Sequence, residues 1–464
     1  SLLNSEDITF RDVRAINNGR QGFSLSASEG IELLRSVVAK NGTVTNGAGI
    51  VLADNSAIAL MNSILWDNFD GFSVDSSRLA ATNSALGASY PNGRIYSFEI
   101  GASPSVVQAD FNNYYVQSGA LLAQQAQLTG GDIYFQYVQD WVAQTSNDVH
   151  TLSHNPLFVD STNLVFYLMS GSGRLTELGA LTNDTIFSPM IDAGDPASVW
   201  TNEPAPNGSR VNIGAYGGTP QASRSPTNPW LLVISYNDGG VVKGTVNLRW
   251  TSGGFTNGSR VRVEYSRNDG AEWFVLSSNL LTSAAAYTWD ASSELPTSRG
   301  RWRVVSEANN LLLDETDENF AVKNNTLTIF VNDLNSTGDV YTTSLGSNDN
   351  DGLSEAAPLL HPEVAFTRYP LGPGDLIYVD SGDYVITNSL RLDQFSRGES
   401  GLPIRVYGST NAVAPSAIQV AGSDAGLTIV DTRDIEVSHL RFIGGSNVVQ
   451  VIRSERTTLS DLMV

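Results

Sequence analysis

Apolar and polar positions alternate in short runs along the first ninety residues, and the runs recur. Ile8, Ile31 and Ile58 each precede an asparagine by ten residues, at Asn18, Asn41 and Asn68. Each isoleucine has a second apolar residue two places on, at Phe10, Leu33 and Leu60. After each asparagine come a glycine and a further alternating run: Gly22-Phe23-Ser24-Leu25, Gly49-Ile50-Val51-Leu52 and Gly71-Phe72-Ser73-Val74. The isoleucines are 23 and 27 residues apart. A period of twenty-odd residues signals a solenoid. Alternation over about four to six positions is the period of a half-buried strand, and units this rich in turn residues hold no helical stripe.

One unit cannot bury its inward face alone, so units must stack. Their strands then pair in parallel and in register, as in a right-handed parallel β-helix. The recurring asparagine fits a fixed corner of each coil. Its side-chain amide can bond to the same amide above and below, and Asn tolerates the left-handed backbone a corner needs. Asn18, Asn41 and Asn68 are therefore expected to form a structural ladder. A leucine-rich repeat would show several leucines per unit and a helical return segment, and this chain has neither.

The pattern divides the chain into three parts. Residues 1–225 read as the C-terminal part of a β-helix with an irregular end cap, its regular coils over 1–90. A fourth line starts at Leu79, but Ser89 stands where asparagine would fall. Beyond it the chain is richer in aromatics, as at Tyr114-Tyr115 and Trp141. Ser223-Arg224-Ser225-Pro226-Thr227-Asn228-Pro229 reads as a linker. Residues 226–323 carry longer alternating strands and the tryptophans Trp250, Trp273, Trp289 and Trp302, the pattern of a small antiparallel β-sandwich. Asn268-Asp269-Gly270 predicts a turn there, with Trp273 in the core. Residues 324–464 read as the N-terminal cap and first coils of a β-helix, with a short helix around Pro362 to Tyr369. The repeat then returns: Asp434 to Phe442 aligns with Arg456 to Val464 at an offset of 22.

Particular phrases carry a family resemblance. Asn155-Pro156-Leu157-Phe158-Val159-Asp160, then Ser188-Pro189-Met190-Ile191-Asp192-Ala193-Gly194-Asp195-Pro196, then Asn212-Ile213-Gly214-Ala215-Tyr216-Gly217-Gly218 resemble the C-terminal end of bacterial extracellular right-handed β-helix proteins of the pectin-lyase-like superfamily. Gly338-Asp339-Val340-Tyr341, Ser347 to Ser354, Gly374 to Val379 and Gly382-Asp383-Tyr384 resemble the start of the same fold. Val263 to Trp273 resembles a hairpin of bacterial immunoglobulin-like and fibronectin-type modules, and also approximates an Asp-box with Asn268 in place of Asp. The resemblance implies an all-β chain in which right-handed parallel β-helix segments flank an antiparallel immunoglobulin-like β-sandwich. It also implies that the first group of phrases closes a solenoid.

The order end, sandwich, beginning suits one repeat of a long tandem protein cut out of phase. Val464 takes the template place of Ala15, and Ser1 that of Ser24, so by alignment roughly eight residues of one coil separate the two ends. Ser1 begins mid-pattern, which reads as a processed or excised piece. The expected partners are a second copy, head to tail, or the continuation of a longer tandem chain. Ser1, Leu2, Ile8, Phe10, Leu459, Leu462 and Val464 are the expected stacking surface.

Composition narrows the chemistry. The net charge of −21 repels phosphate backbones, which argues against nucleic acid. The absence of cysteine removes disulfides, thiol catalysis and Cys-ligated metals. No apolar run approaches the roughly twenty residues of a membrane span. Pectin-lyase-like folds include lyases and glycosidases, which rely on paired carboxylates or calcium. The pairs Asp67/Asp70, Asp192/Asp195 and Asp380/Asp383 all sit in turn-like contexts, and no catalytic residue is assigned. Asp333, Asn335, Asp339, Asp349 and Asp351 place hard oxygens close together, as a calcium site does, or as turn-forming residues do. Trp66, Tyr114, Tyr115 and Trp141 are candidate platforms for a polysaccharide. The expectation is a structural module of a giant secreted or cell-surface protein, forming a fibre, stalk or adhesin. The alternative is a carbohydrate-binding or polysaccharide-cleaving module, with a sialidase-like sandwich as a third reading.

Overall fold

Parallel strands follow the alternation closely. In the computed structural model, which describes residues 1–42, 47–99, 106–127, 131–422, 425–445 and 447–464, the chain is all-β with parallel sheets of stacked strands, an arrangement compatible with a β-helix. It divides into two compact units. The first comprises Ser1–Gln127, Asp132–Ala291 and Arg299–Phe320, and the second Leu128–Gly131, Ser292–Ser298 and Ala321–Val464.

In the first unit each turn of the early chain gives one strand to each of three sheets. The first sheet stacks Leu2–Leu3, Phe23–Ser26, Ala48–Ala53, Asp70–Val74, Arg94–Phe98 and Leu121–Gln125 in parallel. The second stacks Thr9–Arg11, Ile31–Leu34, Ala57–Met61, Arg78–Thr82 and Val106–Asp110. The third stacks Arg14–Ile16, Val37–Ala39, Ile64–Trp66, Ala85–Ala88 and Asn113–Val116. Register keeps like beside like: Phe10 pairs Leu33, Ile31 pairs Ile58 and Leu33 pairs Leu60. A one-residue slip would turn these side chains outward, so burial itself fixes the register. The inward residues form one core that includes Leu25, Leu33, Ile50, Leu60 and Phe72.

The third sheet is apolar on both faces, as Val37-Val38-Ala39 and Ile64-Leu65-Trp66 show, and strands of that kind need cover on both sides. Residues within 158–213, including parts of the phrases expected to close the solenoid's end, cover its outer side instead. Phe158, Phe166, Leu168, Met190, Ile191 and Ile213 pack on Val37, Ala39, Ile64 and Trp66 along the outer side of this sheet. A helix, Val138–Thr145, seats its Trp141 against the far end of the inner core instead, stacked on Tyr96 at 5.7 Å and Phe98 at 5.9 Å. Pattern reading missed this helix because its eight residues are too few for a helical stripe to stand out.

The antiparallel part of the first unit buries Trp250, Trp289 and Trp302. Strand Arg260–Ser266 pairs with Phe274–Leu281 on one side and with Thr297–Ser306 on the other. Asp269 and Gly270 take the positive φ of the expected turn, at 59° and 78°. Trp273 departs from expectation. It is half-buried, with the Arg303 guanidinium 4.0 Å from its ring centre.

The second unit repeats the parallel arrangement. Thr328–Val331, Leu376–Val379, Ile404–Gly408, Arg433–Ser438 and Glu455–Ser460 form its longest parallel sheet, and two further parallel sheets complete each turn. Helix Pro362–Arg368 begins with the proline that a first helical turn accepts, and buries Ala365 and Phe366 in that core. No helix among the described residues is long and apolar enough to cross a membrane.

Candidate functional site

The corners of the coils carry the most regular chemistry in the molecule. At one corner of the first coils a residue in the left-handed region is followed by asparagine. Asn17, Lys40 and Asp67 have φ of 56°, 53° and 48°, and Asn18, Asn41 and Asn68 follow them. The backbone N–H and Nδ2 of Asn18 both donate to Asn41 Oδ1, at 3.1 and 2.8 Å. The same two groups of Asn41 donate to Asn68 Oδ1, each at 2.9 Å. The glycines of the repeat follow from this geometry. A Cβ on Gly22 would lie 2.9 Å from Asn41 Nδ2, and one on Gly49 would lie 2.8 Å from Asn68 Nδ2.

Two further ladders run down the other corners, and sequence reading missed both. The Ser5, Ser28 and Ser56 N–H groups donate to the Oγ of Ser28, Ser56 and Ser77, at 3.1, 3.2 and 3.1 Å. The Val13, Ser36 and Ser63 N–H groups donate to the Oγ of Ser36, Ser63 and Ser84, at 3.2, 3.0 and 3.1 Å. Asn112 and Thr151 continue this second ladder. Every ladder runs in one sense, with the N–H of the earlier coil donating to the side-chain oxygen of the later one. The available signal was a polar residue placed after each turn-former, which serine's abundance conceals.

The spacing of left-handed corners is shared between the units. In the first coil they fall at Asn4, Asp7 and Asp12, and in the next at Ala27, Gly30 and Arg35. In the second unit they fall at Asp431, Asp434 and His439, then at Arg453, Arg456 and Asp461. All four sets step by three and then by five residues. Ser454 follows Arg453 as Ser5 follows Asn4, and Ser454 Oγ accepts the Thr432 N–H at 3.4 Å. The Ser5 and Ser454 hydroxyls are also held alike, donating to Leu3 O at 3.2 Å and Ile452 O at 2.9 Å.

The expected stacking residues lie on these coils. Leu2, Ile8 and Phe10 are half-buried against the first core, and Leu462 against the second. Leu459 is 37% exposed and Val464 82% exposed, and Ser1 is exposed. Thr9–Arg11 and Glu455–Ser460 are each the outermost strand of their sheet among the described residues.

Three of the four expected sugar platforms are core residues. Trp66 is 5% exposed, edge-on to Phe158 at 5.0 Å. Tyr114 is 1% exposed, its hydroxyl 2.8 Å from that of Tyr96. Trp141 is 3% exposed and donates its indole N–H to Asp148 Oδ2 at 3.0 Å. None offers a ring face to a ligand. Only Tyr115 stays partly open, because neighbouring residues of a strand point to opposite faces.

Local bonds engage several of the oxygens in the candidate calcium turns. Asp333 Oδ1 accepts the Asn335 N–H at 2.7 Å, Asn335 Oδ1 that of Thr337 at 3.1 Å, and Asp351 Oδ1 that of Leu353 at 3.0 Å. Asp339 Oδ2 accepts from Asn332 Nδ2 at 2.8 Å, and the Asp349 N–H donates to Ser347 Oγ at 3.3 Å. No three His, Asp or Glu side chains among the described residues converge as metal ligands. Of the carboxylate pairs, Asp380 is fully buried and accepts the N–H groups of Val340, Tyr341 and Thr342 at 2.7 to 2.8 Å, which gives it a structural role. Asp192 is buried beneath Ser225, whose hydroxyl it accepts at 2.7 Å, and burial pushes its carboxyl up to about 6. No family model matches this chain, and neither does any curated protein or solved structure.

Proposed function

We propose that this chain is a structural module of a secreted or cell-surface protein. In this reading right-handed parallel β-helix segments flank an immunoglobulin-like β-sandwich, and coils stacked end to end build a fibre, stalk or adhesin. One observation carries the reading: the coil from Ser454 to Val464 and the coil from Ser5 to Ala15 have the same corner spacing and the same serine geometry. A coil of the first kind therefore fits on a coil of the second as Ser5 to Ala15 fits on Ser28 to Val38. The Ser454 N–H would donate to Ser5 Oγ, and strand Glu455–Ser460 would pair with Thr9–Arg11. The preceding coil comes from a second copy or from a longer tandem chain. Head-to-tail contacts of this kind extend into filaments where they do not close into a ring.

The chain's lack of cysteine makes the test direct. In the stacked register Thr458 lies beside Thr9, at the strand spacing of about 4.8 Å that a disulfide can bridge. The double variant Thr9→Cys/Thr458→Cys should form covalent ladders of multimers on oxidation. The misregistered pair Thr9→Cys/Ser460→Cys should not. Monomer alone would remove stacking between separate copies, and equal ladders from both variants would remove the proposed register.

A further inference from the structure

A cleft of about 500 Å³ opens in the first unit, where Tyr115 and Tyr137 meet the turn at Asp317-Glu318-Asn319. Its volume lies in the range that small-molecule and oligomer subsites occupy. The Tyr115 ring stacks on Trp66, with centroids 6.2 Å apart and a tilt of 14°, so one ring face is backed by a buried indole. The Tyr115 hydroxyl accepts from Gln117 Nε2 at 2.6 Å. Around this platform stand the exposed amides of Gln117, Gln136 and Asn155.

The lining selects against charge. It contains no lysine or arginine, while Asp238, Asp317 and Glu318 are acidic, so an anion is repelled. Two of the three carboxylates already have partners. Asp317 already faces His154 at 3.3 Å and accepts from Asn237 Nδ2 at 2.9 Å. Asp238 accepts the Val138 N–H at 3.0 Å, and burial pushes its carboxyl up to about 7. Side-chain amides both donate and accept, which matches hydroxyl groups, and a fixed aromatic face matches the C–H face of a pyranose. We infer that this cleft is a binding site for an uncharged saccharide, with Tyr115 as the platform and Gln117, Gln136 and Asn155 as its hydrogen-bonding rim. The inference stands apart from end-to-end stacking, since none of these residues lies on the stacking coils.

Calorimetric titration of the whole chain tests it. The probes are cellopentaose, maltopentaose, xylopentaose and mannopentaose, with pentagalacturonate and a chitosan pentamer as charged comparators. Saturable binding of at least one neutral pentasaccharide is expected. Tyr115→Ala should weaken it about tenfold through loss of the aromatic face. Gln136→Ala, at an exposed rim position that leaves the core intact, should weaken it several-fold. Three outcomes would overturn the inference: no saturable binding by any neutral probe, equal binding by wild type and both variants, or binding confined to the chitosan pentamer.

Discussion

Asp434 and Arg456, each in the left-handed conformation, form a two-bonded ion pair at 2.7 Å between coils 22 residues apart. Asp12 and Arg35 do the same in the first unit, at 2.9 Å. An aspartate favours a left-handed corner because its short side chain bonds locally, whereas an arginine there has no such gain. The arginines are explained by the column instead. Coil stacking sets corner above corner, and a base above an acid turns a strained position into a contact. The corners are thus where a coil reads the identity of its neighbour.

The ladder at Asn41 should be the most sensitive point of the regular coils. Its side chain accepts two bonds from Asn18 and donates to Ala15 O and Asn68 Oδ1. Asn41→Ala would remove four side-chain hydrogen bonds at once, at a cost of about 2–4 kcal/mol. Asn18→Ala, at an exposed position that only donates to the ladder, should cost about 1 kcal/mol or less. Denaturant unfolding followed by circular dichroism checks the order. Equal effects would mean that the ladder contributes through turn conformation rather than hydrogen bonding.

The coils were legible in the sequence because three asparagines recur at the same ten-residue offset from an isoleucine. The serine ladders were not, although they are longer. Their intervals of 23, 28 and 21 residues vary with the loops between strands, and serine occurs in those loops as well. The aromatics misled for a related reason. Tyr114 and Tyr115 are adjacent in sequence, but the strand sends one into the core and leaves the other at the cleft. Only the register assigns which, and the register depends on pairing of Asn113 and Tyr114 with Leu152 that no local pattern reveals. The cleft itself joins residues some two hundred positions apart, and periodicity is silent on that.

Stability should rise on mild acidification. Burial raises the carboxyls of Asp140, Asp148, Asp192 and Asp314 to about 6, and those of Glu203 and Asp238 to about 7. Each binds its proton more tightly in the folded chain than in the unfolded one. Their contribution is fully present below about pH 4 and is lost as pH climbs through 6 to 7. Asp12 and Asp434 act in the opposite sense. Hydrogen bonds from Arg35 and Arg456 hold them below the usual range, so their contribution is present above about pH 4 and lost beneath it. The first unit, which holds all six raised groups, should therefore melt a few degrees higher near pH 5 than near pH 7.5. Calorimetry across that range checks it. A flat or falling midpoint would show that these carboxylates are hydrated and ionised in solution.

Association through the proposed stacking should strengthen with salt. Aligning Ser454 with Ser5 sets Arg456 beside Asp7, a favourable pair. It also sets Glu455 beside Glu6 and Asp461 beside Asp12, two like-charged pairs, in a chain of net charge −21. Charges facing across adjacent strands are separated by about 5 Å, within one Debye length at low ionic strength and largely screened near 0.5 M salt. Raising sodium chloride from about 0.02 M to about 0.5 M should shift sedimentation toward longer oligomers. Glu6→Gln removes one repulsion without touching the core, since Glu6 is exposed, and should bring the same shift at low salt. An interface held mainly by opposite charges would weaken with salt, and that result would place the contact elsewhere on the surface.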